Sequence, residues 1–243
     1  MNSLNSDGES YFEYMEFNKY NFSSEEKRRI CEFYEYIRNG QSEYSFIQPI
    51  TKENLTAIEY QKEFVPDVCM LWQDDNSNYA GVYYKGSLRG KVMFLTHDEP
   101  NYAPLFQSIQ SLIKNIKSGI IEDFFIPPLG TCDYPSKHST EEEKESNAIL
   151  AKEYIEKLRG DDEDRDYQLA LIACYLMPAE YLELLIPLMN SGNMYIEQDI
   201  PEFFVFHDYK PAIPILQDIC ESGSTFAKDS SKHALLKLRS NVN

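Results

Sequence analysis

An α+β architecture is predicted for this chain. Three short apolar runs between Val68 and Leu95, bounded by Gly, Asp, Asn or Ser, read as strands. Stripes of apolar residues at helical spacing lie on either side of them. Beyond Pro127 the pattern is helical throughout, which predicts an antiparallel sheet unit followed by an all-α unit of helical hairpins.

Residues 1–22 are polar and rich in Tyr and Asn, as expected of an N-terminal arm. Ser23 and Glu26 have capping-box spacing, and Ile30, Phe33, Tyr34 and Ile37 supply the apolar face of the helix that follows. Asn39-Gly40 should stop it. A second short helix is expected after Thr51, carrying Leu55 and Ile58, with Pro66 closing the region. The strands are then Val68–Trp72, Ala80–Tyr84 and Lys91–Leu95. Their short connectors, 73–79 and 85–90, suit an antiparallel meander. Pro104 fits a first helical turn, with Leu105, Ile109, Leu112, Ile113 and Ile116 on one face. A sheet domain over 23–126 results.

Pro127-Pro128-Leu129-Gly130 opens a segment, 127–139, that reads as a linker, because its prolines and glycine do not continue a helix. A helical domain over 140–243 follows. Thr140 and Glu143 repeat the capping-box spacing, and Leu169, Ile172, Ala173 and Leu176 form a stripe. Pro178 and Pro211 each sit where a helix begins. Those helices run to Ser191-Gly192 and Ser222-Gly223, about 33 residues apart, a ~33-residue period compatible with stacked hairpins. A plain helical bundle fits the same pattern.

The 243 residues include 42% hydrophobic and 14% aromatic side chains, enough to build cores, and carry a net charge of -17. Up to Gly130 there are 19 acids and 12 bases, and after it 21 and 11, so both halves are acidic. A field of that sign disfavours direct nucleic-acid or anionic-membrane binding and draws basic partners inward. The five cysteines are odd in number and widely spaced, with no C-x-x-C pair, which predicts free thiols in a reducing compartment. The opening MNSLNSDGES resembles no signal peptide, and no run approaches the roughly 18 apolar residues of a membrane span. A cytoplasmic protein is expected.

Candidate chemistry is sparse. Asp74-Asp75-Asn76-Ser77-Asn78 has the composition of a calcium loop but places Tyr79 and Lys85 where the loop needs Gly and Glu. An Asx-rich turn beside Trp72, Tyr79 and Tyr83 is the better reading, with the acidic and aromatic mixture that binding hot spots use. His97-Asp98-Glu99 could hold a metal or supply a general base, yet acids at a helix start explain it equally well. No nucleophile elbow or phosphate loop occurs, and Gly86 and Gly90 read as turn glycines. The run Glu141–Glu143 and the cluster from Asp161 to Asp166 read as solvated helix starts or as a docking surface for a basic partner.

Over residues 20 to 125 the chain resembles the SUKH superfamily, which includes bacterial toxin-immunity proteins and a fungal regulator of cell-wall synthesis. The resemblance rests on Trp72, the DDNSNY turn (74–79), the GVYYKGSLRGKV hairpin (81–92), the LTHDEP strand end and the AP-x-F-x-S-I segment (103–109). It implies a twisted, partly open sheet wrapped by helices, no enzymatic activity, no cofactor, and binding of a cognate, basic protein toxin of the nuclease kind. The contact surface it implies comprises Trp72, Asp74, Asp75, Asn76, Asn78, Tyr79 and Tyr83. The alternatives are a regulatory scaffold whose helical half recruits a cellular partner and, least supported, a metal-dependent hydrolase built on His97, Asp98 and Glu99.

Overall fold

The computed structural model describes residues 20–39, 47–58, 67–97 and 101–240. The chain divides into two compact units at Pro127/Pro128. Gly40, Pro66, Asp98 and Glu99, together with residues 1–19 of the expected arm, lie outside the described residues. Tyr20 to Phe22 do not behave as a polar arm: Phe22 is buried and the Tyr20 ring meets Tyr84 edge-on at 4.9 Å.

In the first unit, helix α1 (Ser24–Arg38) starts at the predicted capping box. The Ser23 hydroxyl accepts from Glu26 N at 3.1 Å, and the Glu26 carboxylate accepts from Ser23 N at 2.6 Å. Ile30 and Phe33 are its buried anchors. Strand β1 (Gln48–Pro49) is too short to leave a sequence signature. Helix α2 (Lys52–Ala57) is capped by Thr51, and the Gln73 side-chain Oε1 accepts from both Thr51 N and Asn54 Nδ2, tying the helix start to the sheet.

Strands β2 (Val68–Gln73), β3 (Tyr79–Tyr83) and β4 (Val92–Leu95) complete an antiparallel meander in the order β1-β2-β3-β4. Every residue of β2, β3 and β4 is buried, so the sheet is covered on both faces. The register shifts between Met70 and Trp72, a bulge. Gly86 and Gly90 hold φ of 75° and 84° in the β3–β4 connection, as turn glycines should. Aromatic rings fill the core: Phe33 stands edge-on to Trp72 at 5.1 Å, and Phe94 lies 5.0 Å from Phe124 and 5.5 Å from Phe106.

The helix expected from Pro104 begins later. Val92 exchanges backbone hydrogen bonds with Leu105 and Phe106 at the open edge of β4, which holds 105–106 extended. Helix α3 (Ile109–Lys117) then starts at Ser108, whose hydroxyl accepts from Ser111 N. Ile109, Leu112 and Ile116 are buried as predicted.

The second unit includes the segment read as a linker. Residues 128–139 contain the short helix α4 (Pro135–His138), and Cys132, Tyr134, Pro135 and Ser136 are buried. The Tyr134 ring packs 5.3 Å from Tyr175 and 5.8 Å from Phe206. Pro135 initiates a helix there, and a buried aromatic anchors the segment to the helical core. Helix α5 (Glu141–Ile155) has the Thr140–Glu143 capping box, and α6 (Glu163–Leu176) is capped by Asp162. Next comes a 3-10 helix (Ala179–Asn190) containing Pro187. Its buried Leu182, Leu185 and Leu188 recur every third residue, the period of that helix type. Helices α7 (Met194–Phe206), α8 (Ile213–Ser222) and α9 (Thr225–Ser240) follow. Neighbours pair as α5 with α6, the 3-10 helix with α7, and α8 with α9, while α6, α7 and α9 pack in succession. That is the arrangement of stacked hairpins.

Candidate partner-binding surface

The β2–β3 turn is built around Asp74. Its side chain is buried, and its two oxygens accept four hydrogen bonds: from Asn76 N at 2.8 Å, Asn78 N at 2.9 Å, Asn78 Nδ2 at 3.0 Å and Phe124 N at 3.0 Å. An Asx turn closes the hairpin, and the same carboxylate fastens the segment that follows α3. Asn78 is fully buried, and its Oδ1 accepts from His97 N at 3.3 Å and lies 3.1 Å from His97 Nδ1. Ser77 takes φ 61° at the turn's tip.

This geometry corrects the contact surface expected from the sequence. Trp72, Tyr79 and Tyr83 are 1%, 8% and 6% exposed, so they are core residues rather than surface rings. Tyr83 directs its hydroxyl inward, donating to Tyr102 O at 2.7 Å. Asp74 and Asn78 hold the turn together from within. Of the seven residues, Asp75 and Asn76 alone reach solvent. Asp75 accepts from Gln48 Nε2 at 3.1 Å.

The turn nevertheless gathers an exposed cluster that the sequence did not announce. His97 is exposed and anchored through Asn78; Phe125 is 38% exposed, with its ring 6.4 Å from that of His97. Phe125 N donates to the Asp123 carboxylate at 3.1 Å. Asp75, Asn76, His97, Asp123 and Phe125 therefore border one corner of the sheet unit, linked through Asp74 and Asn78. Phe125 lies some fifty positions beyond the turn, and the Asp74–Phe124 hydrogen bond and the packing of the Phe124 ring on Phe94 bring it there.

The His97 ring engages the buried Asn78 amide through Nδ1, while Asp98 and Glu99, the other members of the metal or base reading, lie outside the described residues. Among the described residues no group of three His, Cys, Asp or Glu side chains is arranged to hold a metal ion. An open groove of about 510 Å³ between α1 and α3 is bordered by Arg29, Glu32, Lys114 and Lys117. Its charges engage local partners: Arg29 pairs with Glu25, and Lys117 Nζ sits 4.4 Å over the Tyr36 ring.

In the helical unit, Asp162 caps α6 and Asp166 accepts from Gly160 N at 2.6 Å and Arg159 N at 3.0 Å, with Arg165 beside it at 2.9 Å. Burial pushes the Asp166 carboxyl up, but the Gly160 amide, the Arg165 guanidinium and the Arg159 amide together hold it below its ordinary value. Two acids of the 161–166 cluster thus shape the α5–α6 connection, while Asp161, Glu163 and Asp164 face solvent.

No family model, curated protein or solved structure matches this chain. No helix among the described residues is long and apolar enough to cross a membrane.

Proposed function

We propose that this chain is a non-enzymatic binding protein of the immunity type, which neutralises a cognate basic toxin, such as a nuclease domain, by covering its active cleft. The observation that carries the reading is the net charge of -17, spread over both halves, combined with an exposed acidic and aromatic corner on a rigidly tied turn. Acidic groups steer a basic partner and fix its register, and a solvent-facing aromatic supplies an anchor. The contact residues of this proposal are Asp75, Asn76, His97, Asp123 and Phe125. The SUKH resemblance supports the same reading, as does the α+β fold.

The test is co-expression with the toxic C-terminal domain of a secreted protein encoded beside this chain. The expected result is restored growth and a complex that co-elutes. Asp75→Lys combined with Phe125→Ala should weaken the complex at least tenfold without unfolding the protein. Absence of both rescue and co-elution would sink the proposal.

A second reading, a scaffold that recruits a cellular partner, is favoured by the helical unit's exposed Tyr181, Met194 and Tyr195. In that case Tyr195→Glu, and not the corner substitutions, would abolish partner capture.

A further inference from the structure

We propose that the helical unit binds a second copy of the chain head to tail, with the outer face of α9 in one copy packing on the outer face of α5 in the next. Stacked hairpins bury apolar surface only against their neighbours, so the first and last helices of such an array need polar outer faces to remain single. Among the described residues, the outer helices α5 and α9 of the stack leave apolar side chains in solvent. Ile149 on α5 is 63% exposed; Phe226 and Leu236 on α9 are 54% and 72% exposed.

Their surroundings have opposite signs. Helix α5 carries five acids against two bases, and Glu142, Glu145 and Glu153 fall within about 40° of Ile149 around the helix. Helix α9 carries four bases against one acid, an inversion within a chain of net charge -17. Lys232 and Lys237 flank Phe226 and Leu236 within an arc of about 140°. The helix's one acid, Asp229, lies inside that arc and pairs with Lys232 at 3.4 Å, which leaves Lys237, among the described residues, as the unopposed cation of the border. Each end therefore presents an apolar centre with a charged border, and the two borders are complementary. The two faces differ, so the contact is heterologous and leaves a complementary end open on every copy added. Ionic strength near 0.15 M screens the long-range repulsion between acidic chains and acts less on contacts that exclude water.

Sedimentation velocity of the full chain over rising concentration tests this. The weight-average mass is expected to climb above the 28.3 kDa of one chain and to continue past two copies. Two double variants reverse the borders: Glu145→Lys with Glu153→Lys on α5, and Lys232→Glu with Lys237→Glu on α9. All four sites are exposed, so circular dichroism should be unchanged. Each variant alone should sediment as a monomer, and an equimolar mixture should associate again, because each then offers the face the other needs. A wild-type chain that stays monomeric throughout, or association indifferent to the swaps, overturns the proposal.

Discussion

Asp74 carries a carboxylate into the interior of the sheet unit, where four donors meet its two oxygens. Asp74→Asn turns one acceptor into an NH2 group facing donors, and the unmatched buried groups should cost about 2–4 kcal/mol. A lowered urea midpoint with unchanged slope would show it; a midpoint equal to wild type would contradict the assigned role. His207 offers a second residue-scale prediction. Burial, reinforced by Lys137, draws its imidazole down from 6.5 to about 4. Between those values the unfolded chain takes up a proton that the folded chain resists, so stability is intact above about pH 6.5 and declines as pH falls towards 4. The loss should be about 2 kcal/mol after allowance for partial exposure. His207→Gln should remove that part of the pH dependence in urea melts at stepped pH. At this scale the sequence misled over the exposure of the β2–β3 turn and its neighbouring rings. An Asp-Asn run beside aromatics looks alike whether it faces solvent or caps a buried turn, and only the sheet's coverage on both faces decides.

Helix starts were legible because caps are local chemistry: Ser23, Thr51, Thr140 and their partners lie within three residues of each other. The strand runs were legible from their apolar composition. What escaped depended on distant partners. Pro104 looks helical until β4 claims the amides of Leu105 and Phe106, and the Pro-rich 127–139 segment looks like a linker until Tyr134 finds Tyr175 and Phe206. Gly81 marks another such place. A Cβ there would stand 2.5 Å from Val68 Cγ1 and 2.6 Å from Met70 Sδ, so those two β2 side chains can close over β3 because residue 81 has no side chain. Gly81→Ala should destabilise by about 1–3 kcal/mol, read from thermal and urea unfolding. A neutral result would mean that the bulge at Met70–Trp72 can shift to make room.

At the scale of the molecule, the five thiols sort by burial. Cys69, Cys132 and Cys174 are buried, and desolvation pushes the Cys132 thiol up to about 12 and Cys174 up as well. Cys31 and Cys220 are partly open. A thiol reagent should modify at most two cysteines per native chain and five after denaturant; fast labelling of all five in buffer would contradict both cores. The division into a sheet unit and a helical unit was legible from periodicity together with Pro127-Pro128-Leu129-Gly130, whereas the order of packing within the helical unit was not, since equal apolar stripes serve a bundle and a stack. The single carboxylate joining the hairpin turn to the stretch after α3 also bears on dynamics. The amides of Asn76, Asn78 and Phe124 share one latch, so loss of that latch frees all three together, and their deuterium uptake should follow a common rate although one lies nearly fifty residues from the others.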